Sequence, residues 1–126
     1  MRGTVLLLDS DKSLPVDVDL FRANGLTVDH CHEPAHALEQ VRRMAPDVVV
    51  AVLAAHDSLS IVPDLRDLAD PATSIIVVSV PAQREAARKV GADSFLLYPA
   101  LPADLLYEIH RALILRRTGR RLPWQR

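Results

Sequence analysis

Three groups of residues have the types and spacings that do chemistry. His32-Glu33-Pro34-Ala35-His36 spells HExxH, the zinc-protease pattern. That chemistry needs both imidazoles on one face of a continuous helix, with the glutamate as general base. Pro34 suits the first turn of a helix, so a helix is expected to begin between the two histidines, which breaks the pattern. No third ligand follows, and a catalytic zinc is not expected; an adventitious ion at His30, Cys31, His32 or His36 is the weaker metal reading. Ser79 offers a hydroxyl, but no histidine stands at a recognisable spacing to activate it. Asp9-Ser10-Asp11 offers two carboxylates and a hydroxyl directly after an apolar string. The four glycines are far apart and form neither GxGxxG nor a Walker loop, so a nucleotide site built on backbone amides is not expected. With no nucleophile–base pair visible, an enzyme is not expected.

The elements that must position these residues are legible in the apolar pattern. Val5-Leu6-Leu7-Leu8, Val48 to Leu53, Ile75-Ile76-Val77-Val78 and Phe95-Leu96-Leu97 are continuous apolar strings. Such strings fit strands buried on both faces of a parallel sheet. Leu26-Thr27-Val28 is more polar and suits an edge. Helices are predicted between them: Leu14–Ala23 with Ser13 as cap and Pro15 in the first turn, Ala35–Met44 stopped by Pro46, Ile61–Ala69, Ala82–Val90 ended by Gly91, and Pro102–Arg117. The order is (βα)5, a doubly wound five-stranded parallel α/β sheet with right-handed crossovers. In such sheets the functional crevice lies outside the carboxyl ends of the strands. That singles out Asp9-Ser10-Asp11, the stretch after Leu53, Ser79-Val80-Pro81 and Tyr98-Pro99.

Composition sets the outer bounds. The 126 residues are 49 % hydrophobic and 25 % charged, which fits one folded domain and excludes disorder. The single cysteine gives neither an internal disulfide nor a CxxC site, and no apolar run is long enough for a membrane span. The N-terminal apolar stretch is too short for a signal peptide, so the cytoplasm is the expected location. The net charge of −1 hides an asymmetry: residues 1–110 balance to −7, and residues 111–126 carry six arginines and no acid. The acidic body is not a general nucleic-acid binder. Direct nucleic-acid contact is expected, if anywhere, only through Arg116, Arg117, Arg120 and Arg121 of the basic end. The domain is expected to span 1–117, with 118–126 an irregular tail or linker.

At these positions, over about residues 3–117, the chain resembles a bacterial response-regulator receiver domain of the chemotaxis-protein type. Val5-Leu6-Leu7-Leu8-Asp9-Ser10-Asp11 is similar to the acidic first-strand signature. Gly25-Leu26-Thr27-Val28, Ala37-Leu38, Pro46-Asp47-Val48-Val49-Val50 and Gly91-Ala92-Asp93-Ser94-Phe95-Leu96-Leu97-Tyr98-Pro99 resemble the later signatures in their order and spacing. The resemblance implies a flavodoxin-like sheet of order 2-1-3-4-5, ancestry in two-component signalling or transcriptional control, and a Ser or Thr at Ser79. It also implies that Cys31, where the family has a small buried residue, is a buried inert thiol.

The departures from that pattern decide the chemistry. The phospho-accepting aspartate of the family lies six residues after the proline of its Pro-Asp pair, which here is Val52. The lysine before the strand-five proline is Tyr98, and the second acid of the first strand is Ser10. Valine has no lone pair to attack phosphorus. Asp9 and Asp11 are left without two of the expected ligands, so magnesium binding is expected to be weak or absent, with no other cofactor. The phenol of Tyr98 or the hydroxyl of Ser79 is expected to bond Asp9 in place of the ion. The resemblance therefore implies a pseudo-receiver, with a degenerate pocket of Asp9, Ser10, Asp11, Val52, Ser79 and Tyr98, acting by contact with a protein partner or as a homodimer. The expected surface is the fourth helix, fifth strand and fifth helix, with Phe95, Leu106, His110 and Ile114. The alternative is a regulator gated by a small molecule in the vacated pocket.

Overall fold

The apolar strings become strands because helices cover both of their faces. A computed structural model of the chain describes residues 2–10, 18–53 and 59–118. Its strands are β1 (Gly3–Asp9), β2 (Leu26–Cys31), β3 (Val48–Val52), β4 (Ser74–Ser79) and β5 (Ser94–Leu97). The helices between them are α1 (Val18–Ala23), α2 (Pro34–Met44), α3 (Ile61–Leu68), α4 (Arg84–Lys89) and α5 (Pro102–Thr118). Every strand pair is parallel, and the sheet order is β2-β1-β3-β4-β5.

Successive strand side chains point to opposite faces, and the core divides accordingly. Leu6, Leu8, Val49, Ala51, Ile75 and Val77 pack beneath α2, α3 and α4. Val5, Leu7, Val48, Val50, Ile76 and Val78 pack against Phe21 of α1 and Leu105, Ile109 and Leu113 of α5. Burying one such side chain contributes about 1.5–3 kcal/mol. Gly3 lets α5 approach the sheet, since a Cβ there would lie 2.7 Å from a methyl of Leu113.

Several boundaries differ from expectation for local reasons. The edge strand β2 runs on to Cys31, pairing Leu8 with Cys31, because β1 offers it a full ladder. Pro81–Gln83 forms a separate 3-10 turn ahead of α4, so α4 is shorter than the apolar spacing suggests. Ser13, Leu14 and Pro15, the expected start of the first helix, lie outside the described residues. As expected, Pro34 is at the start of α2, so His32 precedes the helix and His36 lies within it. Gly91 leaves α4 with φ +105°, a conformation that favours glycine.

The amino end of the sheet is fastened by polar side chains. Asp47 Oδ2 accepts the Thr4 amide at 3.0 Å, and its Oδ1 faces Arg116 of α5 at 3.3 Å. Arg66 of α3 donates to Asp93 at 2.6 Å, and the same carboxylate oxygen accepts the Ile75 amide at 2.7 Å. No helix of the described residues is long and apolar enough to cross a membrane.

Candidate functional site

The carboxyl ends of the strands place one row of residues side by side. Parallel register sets Asp9 of β1 against Val52 of β3, Val52 against Val78 of β4, and Val78 against Leu96 of β5. Val52, Val78 and Leu96 belong to the core on the α1 and α5 side, and strand alternation puts Asp9 on the same side. Asp9 is buried, with 1 % of its surface exposed, and Val52 has 3 %. Hence a carboxylate and an isopropyl group are neighbours at the centre of the rim.

The backbone here is closely bonded. Val52 C=O accepts both the Ser10 amide at 3.3 Å and the Ser10 hydroxyl at 3.1 Å. The Ser10 proton is thereby committed to a carbonyl. Tyr98 N–H donates to Ser79 C=O at 2.8 Å, so β5 stays attached to β4 as the chain leaves the sheet through the cis Tyr98–Pro99 peptide. The Tyr98 side chain is half-buried against the same core as Val52. Ser79 Oγ is buried without a hydrogen-bond partner among the described residues, so the expected Ser79–Asp9 bond is not made. Leu97, not Asp9, is the strand neighbour of Ser79 in register. Asp11 lies outside the described residues, as do Ala54, Ala55, His56 and Asp57.

Sequence reasoning missed one residue of this rim. His32, set aside with the HExxH pattern, follows β2 directly, and its Nδ1 lies 2.9 Å from Asp9 C=O. Its ring centroid is 4.6 Å from that of His30. Burial pushes the His30 imidazole below its ordinary pKa; His32 and Arg22 act in the same direction, against Asp29. Burial, with Asp29 assisting, raises the Cys31 thiol to about 11, the value of an unreactive thiol. Among the described residues no group of three or more His, Cys, Asp or Glu side chains could hold a metal ion.

On the outer surface the expected contact residues divide. Phe95 is buried, and Leu106 is half-buried against the core beneath α5. His110 and Ile114 are exposed, and Tyr107, Leu101 and Leu97 join them with 67 %, 67 % and 52 % exposure. A cleft of about 460 Å³ beside them is lined by Phe95, Leu97, Pro99, Leu101 and Asp104. Arg116, read as part of the basic tail, belongs to α5 and is half-buried against Asp47. Nothing is described of the side chain of Arg117 or of Arg120 and Arg121.

The sheet order and the helices on both faces define the flavodoxin-type fold of response-regulator receiver domains. No family model matches the sequence, and no curated protein matches it. Solved structures do. A CheY-like receiver domain protein from Methanospirillum hungatei JF-1 superposes with a TM-score of 0.77 at 16 % identity, over 94 % of this chain and 99 % of that one. A putative response regulator from Chloroflexus aurantiacus J-10-fl gives 0.76 at 21 % identity, over 90 % and 99 %. NtrX from Brucella abortus, solved in complex with ADP, gives 0.77 at 19 % identity over 94 % of this chain. This chain spans only 29 % of that longer protein.

Proposed function

We propose that this chain is a pseudo-receiver: a regulatory module that acts through protein contact and takes up no phosphate. The observation that carries the reading is Val52, the last residue of β3, seated between Asp9 and Val78 at the centre of the rim. A receiver forms its acyl phosphate on a carboxylate oxygen, while a cation neutralises the charge that develops. An isopropyl group supplies no such oxygen. Tyr98 brings a phenol, not an ammonium, to the exit of β5. Ser10 brings a hydroxyl already engaged by Val52 C=O. Magnesium therefore binds weakly or not at all.

The signal is then carried by contact. The surface at β5 and α5 supports this reading, because Leu97, Leu101, Tyr107 and Ile114 are large apolar or aromatic groups left open to solvent. The test is incubation with a small phosphodonor and magnesium, read by intact mass and by amide NMR. No added phosphoryl mass and no saturable shift at Ser79 or Asp9 is the expected result. A phosphoryl adduct, or a magnesium-dependent shift that saturates there, ends the proposal.

A second reading, a regulator gated by a small molecule, is favoured by Ser79 alone. Its hydroxyl is fully buried and lacks a hydrogen-bond partner among the described residues. A polar ligand that reached it would supply that partner. Such a ligand raises the melting temperature by mass action, and a metabolite screen by thermal shift detects it.

A further inference from the structure

Two imidazoles stand together at the end of the edge strand. Alternation along β2 sends Leu26 and Val28 into the core on the α1 side and Cys31 into the core on the other. His30, and then His32 directly after the strand, follow Val28. Both are half-buried, their ring centroids are 4.6 Å apart, and the rings are tilted by 59°. β2 pairs only with β1, so its other edge is open. Asp9 C=O can only accept, so His32 Nδ1, 2.9 Å away, carries the proton and Nε2 of the neutral ring keeps its lone pair. A backbone carbonyl on the far nitrogen is the arrangement that fixes the orientation and tautomer of a metal-binding histidine. His30 Nε2 is buried with no hydrogen-bond partner among the described residues, so no acceptor holds a proton on it.

We infer that His30 and His32 form a two-nitrogen site for a divalent transition-metal ion of the copper(II) or nickel(II) class. The ring spacing selects that class. A metal about 2.0–2.1 Å from each ligating nitrogen lies about 3.2 Å from each ring centre. Two imidazoles at right angles on one ion then have centres about 4.5 Å apart, against about 5.2 Å at the tetrahedral angle of zinc. The observed 4.6 Å matches the right angle, which is the tetragonal geometry of copper(II) and nickel(II). Rotation of His30 about χ2, a broad torsion, turns a ring nitrogen to the ion without moving the backbone. Water completes the shell, since no three side chains among the described residues converge on a metal. Of the other residues the HExxH stretch offered, Cys31 is buried on the opposite face, and His36 lies in α2, exposed beside Gln40. Arg22 and Asp29 flank His30 with opposite charges, and Arg22 is bonded to Val28 C=O at 3.0 Å. The site goes beyond the phosphate-free reading and does not depend on it, because neither Val52 nor the α5 surface takes part. An ion held here is tied through His32 to Asp9 C=O, so its binding bears on the β1 end of the rim.

Titration of the full chain with copper(II), and separately with nickel(II), in a non-chelating buffer tests this. Calorimetry reads the binding, and electron paramagnetic resonance reads the copper ligands. One equivalent binds with micromolar affinity, and the copper spectrum carries the hyperfine pattern of two imidazole nitrogens. His30→Gln and His32→Gln each weaken binding about tenfold or more and leave one nitrogen in the spectrum. His36→Gln and His110→Gln leave both readings unchanged. Metal-free melting curves show that the variants are folded, and the wild-type spectrum counts the nitrogens without any variant. A large excess of magnesium leaves binding unchanged, since magnesium takes oxygen ligands. Affinity no better than millimolar, a wild-type spectrum without two nitrogens, binding indifferent to both His30→Gln and His32→Gln, or displacement by magnesium each overturns the site. Displacement by magnesium places the ion on carboxylates at the rim instead.

Discussion

Asp9 and Val52 are strand neighbours in register, both buried, at the carboxyl ends of β1 and β3. A buried carboxylate beside a hydrocarbon gains no charge partner from that side. Side chains that bond backbone carbonyls help to hold this end of the sheet. Ser10 closes on Val52 C=O, and His32 lies within bonding distance of Asp9 C=O.

Val52→Asp tests the proposal that the rim takes up no phosphate. The substitution sets a second carboxylate against Asp9, where burial and like charge both oppose ionisation. The variant is expected to lose about 2–5 kcal/mol of stability at neutral pH. Magnesium should recover part of that loss in the variant and leave the wild-type melting temperature unchanged. A wild type stabilised by magnesium as strongly as the variant would contradict this account.

Cys31 gives a chemical test of the β2 edge. Its thiol is buried, and burial raises its pKa to about 11 from an ordinary value near 9. At pH 8 the thiolate is then about a hundredfold scarcer than in an unfolded chain. Labelling by a disulfide reagent should be slow in the native protein and fast in denaturant. Equal rates would mean that β2 does not hold this residue inside.

The strands were legible in the sequence because each interior one is an unbroken apolar string, and Pro34, Pro46 and Gly91 bracket the helices. The strand order followed from the resemblance, since periodicity alone does not pair strands. The rim was legible in part. Asp9, Val52 and Ser79 fall at strand ends that apolar strings mark. His32 was hidden, because only the pairing of Leu8 with Cys31 sets its ring beside Asp9. The contact stripe shows a different limit. Leu106, His110 and Ile114 are spaced four apart, and each such step turns 40° further round the helix. The stripe therefore begins on the flank that packs inward, and the outward line passes through Tyr107.

His30 predicts a pH dependence with a definite sign. Its folded pKa lies below the ordinary 6.5, through burial first and then the charges of His32 and Arg22. Above pH 6.5 the ring is neutral in both states and contributes no penalty. As pH falls below that value the unfolded chain takes up a proton before the folded one, so stability declines through the folded pKa. Denaturation curves between pH 8 and pH 5 should show a decline for the wild type that is shallower in His30→Gln. Identical slopes would remove His30 from this role.

Ser79→Ala distinguishes an idle hydroxyl from a bonded one. Ser79 Oγ is buried without a hydrogen-bond partner among the described residues. Burying a hydroxyl unpaired costs about 1–3 kcal/mol, and removing it recovers that cost less the small void left behind. The expected result is a melting temperature equal to or above that of the wild type. A loss greater than about 1 kcal/mol would show that the hydroxyl is bonded in solution. If a metabolite stabilises the wild type and not Ser79→Ala, the rim beside Ser79 is a ligand site and the second reading displaces the first. If one stabilises both equally, it binds away from this hydroxyl.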